Sequence, residues 1–226
     1  TRDAIHTDLR WHGRTLRLID TAGLRRRARI EEAVELFSVL RTERVLDECD
    51  VAVMVVDAAA GTVQQDARIA GLIHDAGKGV VVAFNKWDLV DRDSRTYLRV
   101  WEEFLDAVPF LSYAPYFTLS AVTKQRSGRV LEMVWQVHEA RQLRIETGEL
   151  NRFFEGIVRQ QPPRTHEGHQ GKIYYAVQAE KAPPTFVVSV NDPGWFARHY
   201  LRYLNNKLRE AYGFTGNRIF IKLKEH

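Results

Sequence analysis

The sequence predicts an α/β fold in which a doubly wound parallel sheet is followed by a smaller α+β module. Strands and helices alternate over residues 1–148, which is the pattern of a parallel sheet covered by helices. Two predicted strands, residues 51–56 and 79–84, are continuous apolar runs, as expected of strands buried on both faces. Over residues 149–226 the order is helix, strand, strand, helix, strand, which predicts an α+β module with its helices on one face of the sheet.

Apolar spacing defines the other elements of residues 1–148. Two short strands flank His12-Gly13, the pattern of an antiparallel hairpin that enters the sheet. Helical spacing predicts helices over residues 31–48, 65–76, 96–108 and 129–148, and the last strand is predicted over residues 116–119. In the last of these helices the side chains expected to face the core are Val130, Val134, Val137 and Leu143.

Prolines separate the elements of the second module. Pro162-Pro163 ends its first helix, because the residue before a proline avoids the helical conformation. Asn191 or Asp192 is expected to cap a second helix that has Pro193 in its first turn. The predicted elements are a helix, two strands, a helix and a strand, at residues 151–160, 172–179, 185–190, 193–212 and 218–223.

Composition excludes several classes of protein. The chain has 226 residues, of which 45% are hydrophobic, enough to bury a sizeable core. A single cysteine, Cys49, excludes an internal disulfide framework and fits a reducing compartment. No apolar run approaches the roughly 20 residues needed to span a bilayer. We therefore expect a cytoplasmic protein that has no membrane partner.

Charge is distributed unevenly along the chain. The net charge is +4, but residues 1–150 carry −2, whereas residues 151–226, with 12 basic and 6 acidic side chains, carry +6. A basic final third suggests contact with nucleic-acid phosphates, and a merely solvated basic face explains the charge equally well. The candidate RNA contacts are Arg198, Arg202, Lys207, Arg209, Lys222 and Lys224.

The motif D-T-A-G at residues 20–23 directly follows a predicted strand. The Asp20 carboxylate can reach a Mg²⁺ ion through water, and Gly23 lets a backbone N–H approach a phosphate oxygen. Thr1 lies 19 residues earlier, and its hydroxyl is a candidate Mg²⁺ ligand because hard cations take oxygen ligands. The alternative is that this threonine has no role. The motif predicts a sensor of the metal and the γ-phosphate.

The motif N-K-W-D at residues 85–88 follows a buried strand and suits a reader of guanine. The Asp88 carboxylate can accept from two adjacent N–H donors of the base, and Asn85 can bond the base edge. The stem of Lys86 can cover the ring, which Trp87 can shield. Ser120-Ala121 ends a later strand, where backbone N–H groups can bond guanine O6, an atom that adenine lacks.

Both motifs lie at the carboxyl ends of predicted strands, where open α/β sheets bind their ligands. Two such motifs in this order predict a GTPase, and no catalytic residue is assigned. The predicted nucleotide-binding residues are Asp20, Thr21, Ala22, Gly23, Leu24, Asn85, Lys86, Trp87, Asp88, Ser120 and Ala121.

Two features depart from the usual GTPase pattern. The phosphate loop G-x-x-x-x-G-K-[ST] does not occur in these residues. Because the sequence opens at Thr1, within what would be a switch loop, we expect that an upstream segment is missing. A permuted or degenerate relative of the GTPases is the alternative.

Leu24 stands where many GTPases carry a glutamine that orients the attacking water. In this chain that water must therefore be positioned by other groups.

Longer motifs run through essentially all 226 residues. They resemble the second G domain and the KH-like end of the Der (EngA) family of bacterial ribosome-assembly GTPases. These motifs are T-R-D-A-I at 1–5, D-T-A-G-L-R-R-R at 20–27, E-x-F-S-V at 35–39, Q-D-x-R-I-A-G at 65–71, N-K-W-D-L-V at 85–90, P-F-L-x-Y-A-P at 109–115, T-G-x-L-N-R at 147–152, P-P-T-F-V at 183–187 and V-N-D-P at 190–193.

The resemblance implies a P-loop-GTPase-like sheet that lacks its phosphate-loop segment, at residues 1–148, and a KH-like domain at 149–226. It also implies binding of GTP and GDP with Mg²⁺, hydrolysis of GTP and a role in maturation of the large ribosomal subunit. The expected partners are the rRNA of that subunit and an upstream G domain of the same protein. Relatives with a hydrophobic residue at the position of Leu24 can use K⁺ to supply positive charge.

KH domains commonly clamp RNA with a G-x-x-G loop, and residues 151–226 are interpreted as lacking one. The module is therefore expected to bind rRNA by another surface or to dock against the G domains.

The alternative function for residues 1–226 is that of a nucleotide-independent fragment that binds RNA or the ribosome. The reason is that the phosphate loop is absent, so the fragment is expected to be inactive as an enzyme.

We predict that the polypeptide of residues 1–226 binds GTP at least about a hundredfold more weakly than the complete protein. The reason is the loss of the charge-assisted hydrogen bonds of a phosphate loop, which are the strong kind. Side-by-side isothermal titration calorimetry of the two proteins measures the difference, and comparable affinities would contradict the prediction.

Overall fold

The structure is a computed structural model of the chain and describes residues 6–19, 45–91, 93, 95–163, 165–166 and 169–226. The chain divides into two compact units. The first comprises residues 1–112 and 116–134, and the second comprises residues 113–115 and 135–226. The domain boundary predicted at residues 148–149 stays a prediction.

The first unit contains a hairpin and a parallel sheet. Strands β1 (His6–Trp11) and β2 (Arg14–Ile19) pair in antiparallel fashion, as predicted. Strands β3 (Val51–Asp57), β4 (Gly79–Asn85) and β5 (Tyr116–Thr118) form a parallel sheet with β4 in the centre. The middle of β4 is fully buried, as its uninterrupted apolar sequence predicts. The predicted α/β class is confirmed.

Aromatic side chains join helix and sheet within the first unit. Helices α1 (Gln64–Asp75) and α2 (Thr96–Ala107) follow β3 and β4 along the chain. The α2 residue Trp101 stacks on Tyr116 of β5, with ring centroids 4.1 Å apart and planes 6° apart. Such a stacked aromatic pair adds to the free energy gained from burying both rings. The helix predicted over residues 31–48 lies mostly outside the described residues, and only residues 45–48 of it are described, as helix.

The helix predicted over residues 129–148 is wrong in extent. Helix α3 (Arg129–Arg141) ends seven residues earlier, and helix α4 (Thr147–Gln160) begins before the predicted start at residue 151. The intervening segment is fixed by the buried Gln178, whose Oε1 accepts from the Ile145 N–H and whose Nε2 donates to the Leu143 carbonyl, both at 2.8 Å. Leu143 is 40% exposed rather than inward, because these tertiary hydrogen bonds replace the helical ones.

The second unit is a three-stranded sheet in the order β10–β9–β8, packed beside helices. Strand β8 (Ile173–Glu180) is antiparallel to β9 (Thr185–Val190), and β10 (Phe220–Glu225) is parallel to β9. A short hairpin of β6 (Thr165–His166) and β7 (His169–Gln170) precedes them. The core of this unit combines side chains of α4, of the sheet and of α5 (Arg198–Tyr212), among them Leu150, Phe154, Phe186, Val188, Leu204 and Leu208.

The helix predicted over residues 193–212 is also interrupted. A 3₁₀ turn, Pro193–Trp195, comes first, and Asp192 caps it by accepting from the Gly194 N–H at 2.7 Å. The buried Phe196 then separates this turn from α5, because inserting its ring into the core requires a break in the helix. None of the helices in the described residues is long and apolar enough to cross a membrane.

Candidate nucleotide-binding site

The ends of β4 and β5 are joined at one edge of the parallel sheet. Asn85 is the last residue of β4, and its side-chain Oδ1 accepts from the N–H of Ala121 at 3.0 Å. The N–H of Trp87 donates to the carbonyl of Leu119 at 3.1 Å. These two bonds hold the segment after β4 against the segment after β5, so the two predicted parts of a base site lie together.

Asp88 lies in a 3₁₀ turn, Trp87–Leu89, that follows directly on β4. Lys86 has left-handed backbone angles, with φ 61° and ψ 33°, which turns the chain sharply so that Asp88 follows within one turn. The Oδ1 atom of Asp88 is buried and accepts no hydrogen bond within the described part of the chain. A buried carboxylate oxygen without a donor is unfavourable, so this atom is suited to accept from the N–H donors of a ligand.

Lys86 points its ammonium group at a carboxylate on the neighbouring strand. Its Nζ lies 2.5 Å from Oδ2 of Asp57, the last residue of β3, whose side chain is only 18% exposed. The hydrogen bond from Lys86 lowers the pKa of Asp57 below its ordinary value, and the N–H groups of Ala60 and Ala59 contribute to the shift. Asp57 is not among the residues that the sequence predicts for the site, although a carboxylate directly after a buried strand marks this edge of the sheet.

Trp87 is a core residue of the first unit. Its side chain is 6% exposed, so it stabilises the turn that carries Asp88. The prediction that it shields a bound base stays a prediction.

The N–H groups of Ser120 and Ala121 are both engaged within the protein. Ser120 donates to the carbonyl of Gln125 at 3.1 Å, and Ala121 donates to Asn85. The loop after β5 turns back on itself, and the Ser120 hydroxyl also accepts from the Thr123 N–H at 3.1 Å. The prediction that the two N–H groups bond guanine O6 stays a prediction.

The metal and phosphate side of the predicted site lies outside the described residues. This applies to Thr1, Asp20, Thr21, Ala22, Gly23 and Leu24. Over the residues that are described, no group of three or more histidine, cysteine, aspartate or glutamate side chains is arranged to hold a metal ion.

The candidate RNA contacts divide into two groups. Arg198 and Arg202 on α5 are exposed, as are Lys222 and Lys224 on β10, whereas Lys207 pairs with Glu210 at 2.7 Å.

Arg209 does not belong with these surface cations. Its guanidinium donates to the carbonyls of Phe214 and Asn217 at 2.8 and 2.9 Å and lies 4.8 Å from the ring centroid of Tyr113. Burial lowers the pKa of Arg209 to about 10. These contacts hold the segment after α5 and occupy the Arg209 guanidinium. They correct the prediction that Arg209 binds RNA phosphates.

G-x-x-G sequences do occur in the second unit, at residues 168–171 and 213–216, which corrects the interpretation that none is present. The first includes Gly168, which lies outside the described residues. The loop at residues 213–216 is not an open RNA clamp. Phe214 is fully buried between the two glycines, and the N–H of Gly216 donates to the carbonyl of Tyr113 at 3.1 Å. The Phe214 carbonyl is occupied by Arg209.

Two family models match successive parts of the chain. Residues 1–140 match the elongation factor Tu GTP-binding domain, and residues 144–224 match the C-terminal KH-domain-like family of EngA bacterial GTPase enzymes. The chain belongs to the EngA (Der) family of GTPases. A GTPase Der of Heliobacterium modesticaldum is 45% identical over 100% of this chain and 51% of its own length. A GTPase Der of Chloroflexus aggregans is 44% identical over 98% of this chain and 49% of its own.

The chain therefore spans about half the length of the curated Der relatives that it matches. Among solved structures, Era in complex with MgGDPNP and nucleotides 1506–1542 of 16S ribosomal RNA aligns with a TM-score of 0.50. That alignment covers 100% of this chain and 81% of the Era chain at 15% identity, and it supports the fold alone.

We predict that Lys86→Met raises the pKa of Asp57 toward its ordinary value of 3.8. In the unchanged chain, the Asp57–Lys86 pair stabilises the fold at pH values above the pKa that Asp57 has in the unfolded chain. This stabilisation is lost as the pH falls through the lower pKa that Asp57 has in the folded chain. Carboxyl-detected NMR titration of Asp57 measures the shift.

The matched control is Lys124→Met, at an exposed lysine whose φ of 60° is nearly the same as that of Lys86. This substitution should leave the Asp57 titration unchanged. An Asp57 pKa that does not respond to Lys86→Met would show that the contact is not maintained in solution.

Proposed function

We propose that the complete protein is a cytoplasmic GTPase that binds GTP and GDP with Mg²⁺ and acts in maturation of the large ribosomal subunit. The observation that carries the nucleotide part is the buried, unpartnered Oδ1 of Asp88 beside the Asn85–Ala121 hydrogen bond. Relatives that carry the name GTPase Der support it.

Guanine provides the hydrogen-bond donors that the Asp88 carboxylate lacks. The base presents its N1–H and its exocyclic amine as adjacent donors, and an ionised carboxylate offers only acceptors. The two bonds would satisfy Asp88 and select guanine over adenine, whose corresponding edge has no matching donor pair. Asn85 supports this site indirectly, because its side chain holds the segment after β5.

The phosphates of the nucleotide and their Mg²⁺ ion would be held by residues outside those that the structure describes. In this proposal Asp20 contacts Mg²⁺ through water, Thr1 supplies a hydroxyl ligand, and a phosphate loop of the complete protein surrounds the phosphates. When bound, Mg²⁺ neutralises charge that develops on the phosphates. Since Leu24 cannot orient a water molecule, K⁺ is a candidate source of additional positive charge.

We predict that Asp88→Asn in the complete protein weakens GTP binding by roughly two to four orders of magnitude and gains binding of XTP. Asparagine places an NH₂ donor against a donor of guanine, and each unpaired buried group costs about 1–3 kcal/mol. Xanthine carries an oxygen in place of the guanine amine, so the new donor again finds an acceptor. Competition among GTP, XTP and ATP measures the change.

The matched control is Asp91→Asn, which removes the same charge from an exposed aspartate three residues away. It should keep the preference for GTP. If Asp88→Asn also prefers GTP over XTP, Asp88 does not read the base and the assignment of Asn85, Lys86, Trp87 and Asp88 as the guanine site is wrong.

The ribosomal part of the proposal is supported by charge. The second unit carries most of the excess basic residues, and four of the six candidate contacts are exposed on α5 and β10. Lysine and arginine side chains on a surface bind RNA phosphates and release condensed counterions. Ribosomal RNA is the ligand that this charge and the family resemblance favour.

We predict that binding of the complete protein to ribosomal RNA weakens steeply with salt and that neutralising these basic side chains reduces the dependence. Each phosphate contact contributes about −0.7 to −0.9 to the slope of log affinity against log salt. Replacement of Arg198, Arg202, Lys222 and Lys224 by alanine should therefore flatten the slope. Arg10→Ala with Lys124→Ala, in the first unit, is the control. An unchanged slope would show that the basic surface is only solvated.

A further inference from the structure

One face of the sheet in the second unit is only partly covered by the residues that the structure describes. Side chains alternate along β9, so that Phe186, Val188 and Val190 are buried with the helices in the core. Val187 and Ser189 point the other way and are only partly buried. By the strand register, the side chains that share this outward face are Tyr175, Val177, Thr185, Val187, Ser189, Phe220, Lys222 and Lys224, which we call the open sheet face. Among them, Thr185 is buried, at the end of the face away from Tyr175.

Two tyrosines are exposed at one corner of the sheet, Tyr175 within the open sheet face and Tyr174 next to it. Tyr174 and Tyr175 are 50% and 48% exposed, although large aromatic side chains favour burial. An irregularity between Ile173 and Tyr175 interrupts the register of β8 with β9, and such bulges redirect side chains. The Tyr174 ring packs against the His226 ring at 4.6 Å, and His226 Nδ1 lies 3.2 Å from Ser189 Oγ. Tyr174 therefore lies on the same side of the sheet as Ser189 and Tyr175.

Basic side chains lie on the edge strand opposite these rings. Lys222 and Lys224 are exposed on β10 and form no ion pair with any residue that the structure describes. Tyr175, Ser189 and Lys224 are register partners across the three strands, so the backbone positions of Tyr175 and Lys224 are about 10 Å apart. A third group, the Arg218 guanidinium, lies 4.5 Å from the ring centroid of Phe220.

Acidic residues are few on these strands. Glu180 lies at the far end of the face, beside Thr185 and Phe220, and Glu225 is a register partner of Val190, which faces the core. The corner that holds the tyrosines and lysines therefore combines flat apolar rings with positive charge.

We infer that the open sheet face binds single-stranded RNA, with bases stacked on Tyr174 and Tyr175 and phosphates at Lys222 and Lys224. Aromatic platforms beside a basic groove are how proteins hold unpaired nucleotides, because every base has a face that can stack. Paired RNA keeps its bases inside the helix and cannot use the rings. The inference rests on the proposed RNA function and names the surface and the form of the RNA.

The face differs from the other basic surface of this unit. Arg198 and Arg202 lie on α5, whose buried side chains pack against the opposite side of the sheet. A contact made by that helix alone would depend on charge and would be indifferent to the tyrosines. The two surfaces can therefore be separated by substitutions that keep the net charge.

The test measures binding of the complete protein to fluorescein-labelled oligouridylate and to a blunt RNA duplex by fluorescence anisotropy. Tyr174→Ala combined with Tyr175→Ala should weaken binding to the single strand at least about tenfold, because stacking is lost at two bases, without changing the salt slope. The paired substitution to phenylalanine keeps the rings and should retain the affinity. Lys222→Ala with Lys224→Ala should flatten the slope by about 1.4.

The controls separate this inference from the proposed function. Arg198→Ala with Arg202→Ala removes the same charge from α5 and should leave the contribution of the tyrosines unchanged. If the unchanged protein binds neither oligouridylate nor ribosomal RNA, the RNA function itself is wrong. If it binds RNA but the alanine variants at Tyr174 and Tyr175, folded by circular dichroism, bind oligouridylate as tightly, or if the duplex binds equally well, the open sheet face is not the surface.

Discussion

The central constraint in the first unit is the position of β4 between two parallel partners. Its backbone pairs with β3 on one side and β5 on the other, and its side chains from Val80 to Phe84 are buried. Because parallel strands end at the same edge, this pairing brings Asp57, Asn85 and Ala121 to one region although they are far apart in sequence. Their polar groups then find one another: Asp57 with Lys86, and Asn85 with the Ala121 N–H.

These contacts leave one acceptor unused. Lys86 is paired, the N–H groups of Ser120 and Ala121 are bonded, and Trp87 is in the core, whereas the Oδ1 atom of Asp88 has no donor in the described residues. A fold tolerates a buried, unpaired carboxylate oxygen at a cost of about 1–3 kcal/mol. A ligand that supplies donors recovers that cost, so the same arrangement is both locally unfavourable and a basis for specificity.

In the second unit, polar side chains take over backbone hydrogen bonds where the chain leaves regular structure. Asn151 on α4 accepts from the Ala176 N–H and donates to the Ala176 carbonyl, at 2.8 and 2.9 Å, and so joins helix and sheet. Gln178 holds the segment before α4, and Arg209 holds the segment after α5. With these groups committed to structure, the basic and aromatic side chains left for an RNA ligand are those on exposed helix and strand positions.

The sequence by itself determined the fold class, the family and the order of nearly every element. It could do so because apolar periodicity and short motifs are local signals, and the N-K-W-D motif marks its strand end without reference to distant residues. Only the tertiary structure decided where the helix after residue 129 ends, that Asp57 pairs with Lys86, and that Arg209 packs over the Tyr113 ring. Each of these depends on a partner far along the chain, such as Gln178 for Ile145 or Tyr113 for Arg209. The open sheet face has the same origin, because the strand register, and not the sequence of any one strand, brings Tyr175 and Lys224 to one side.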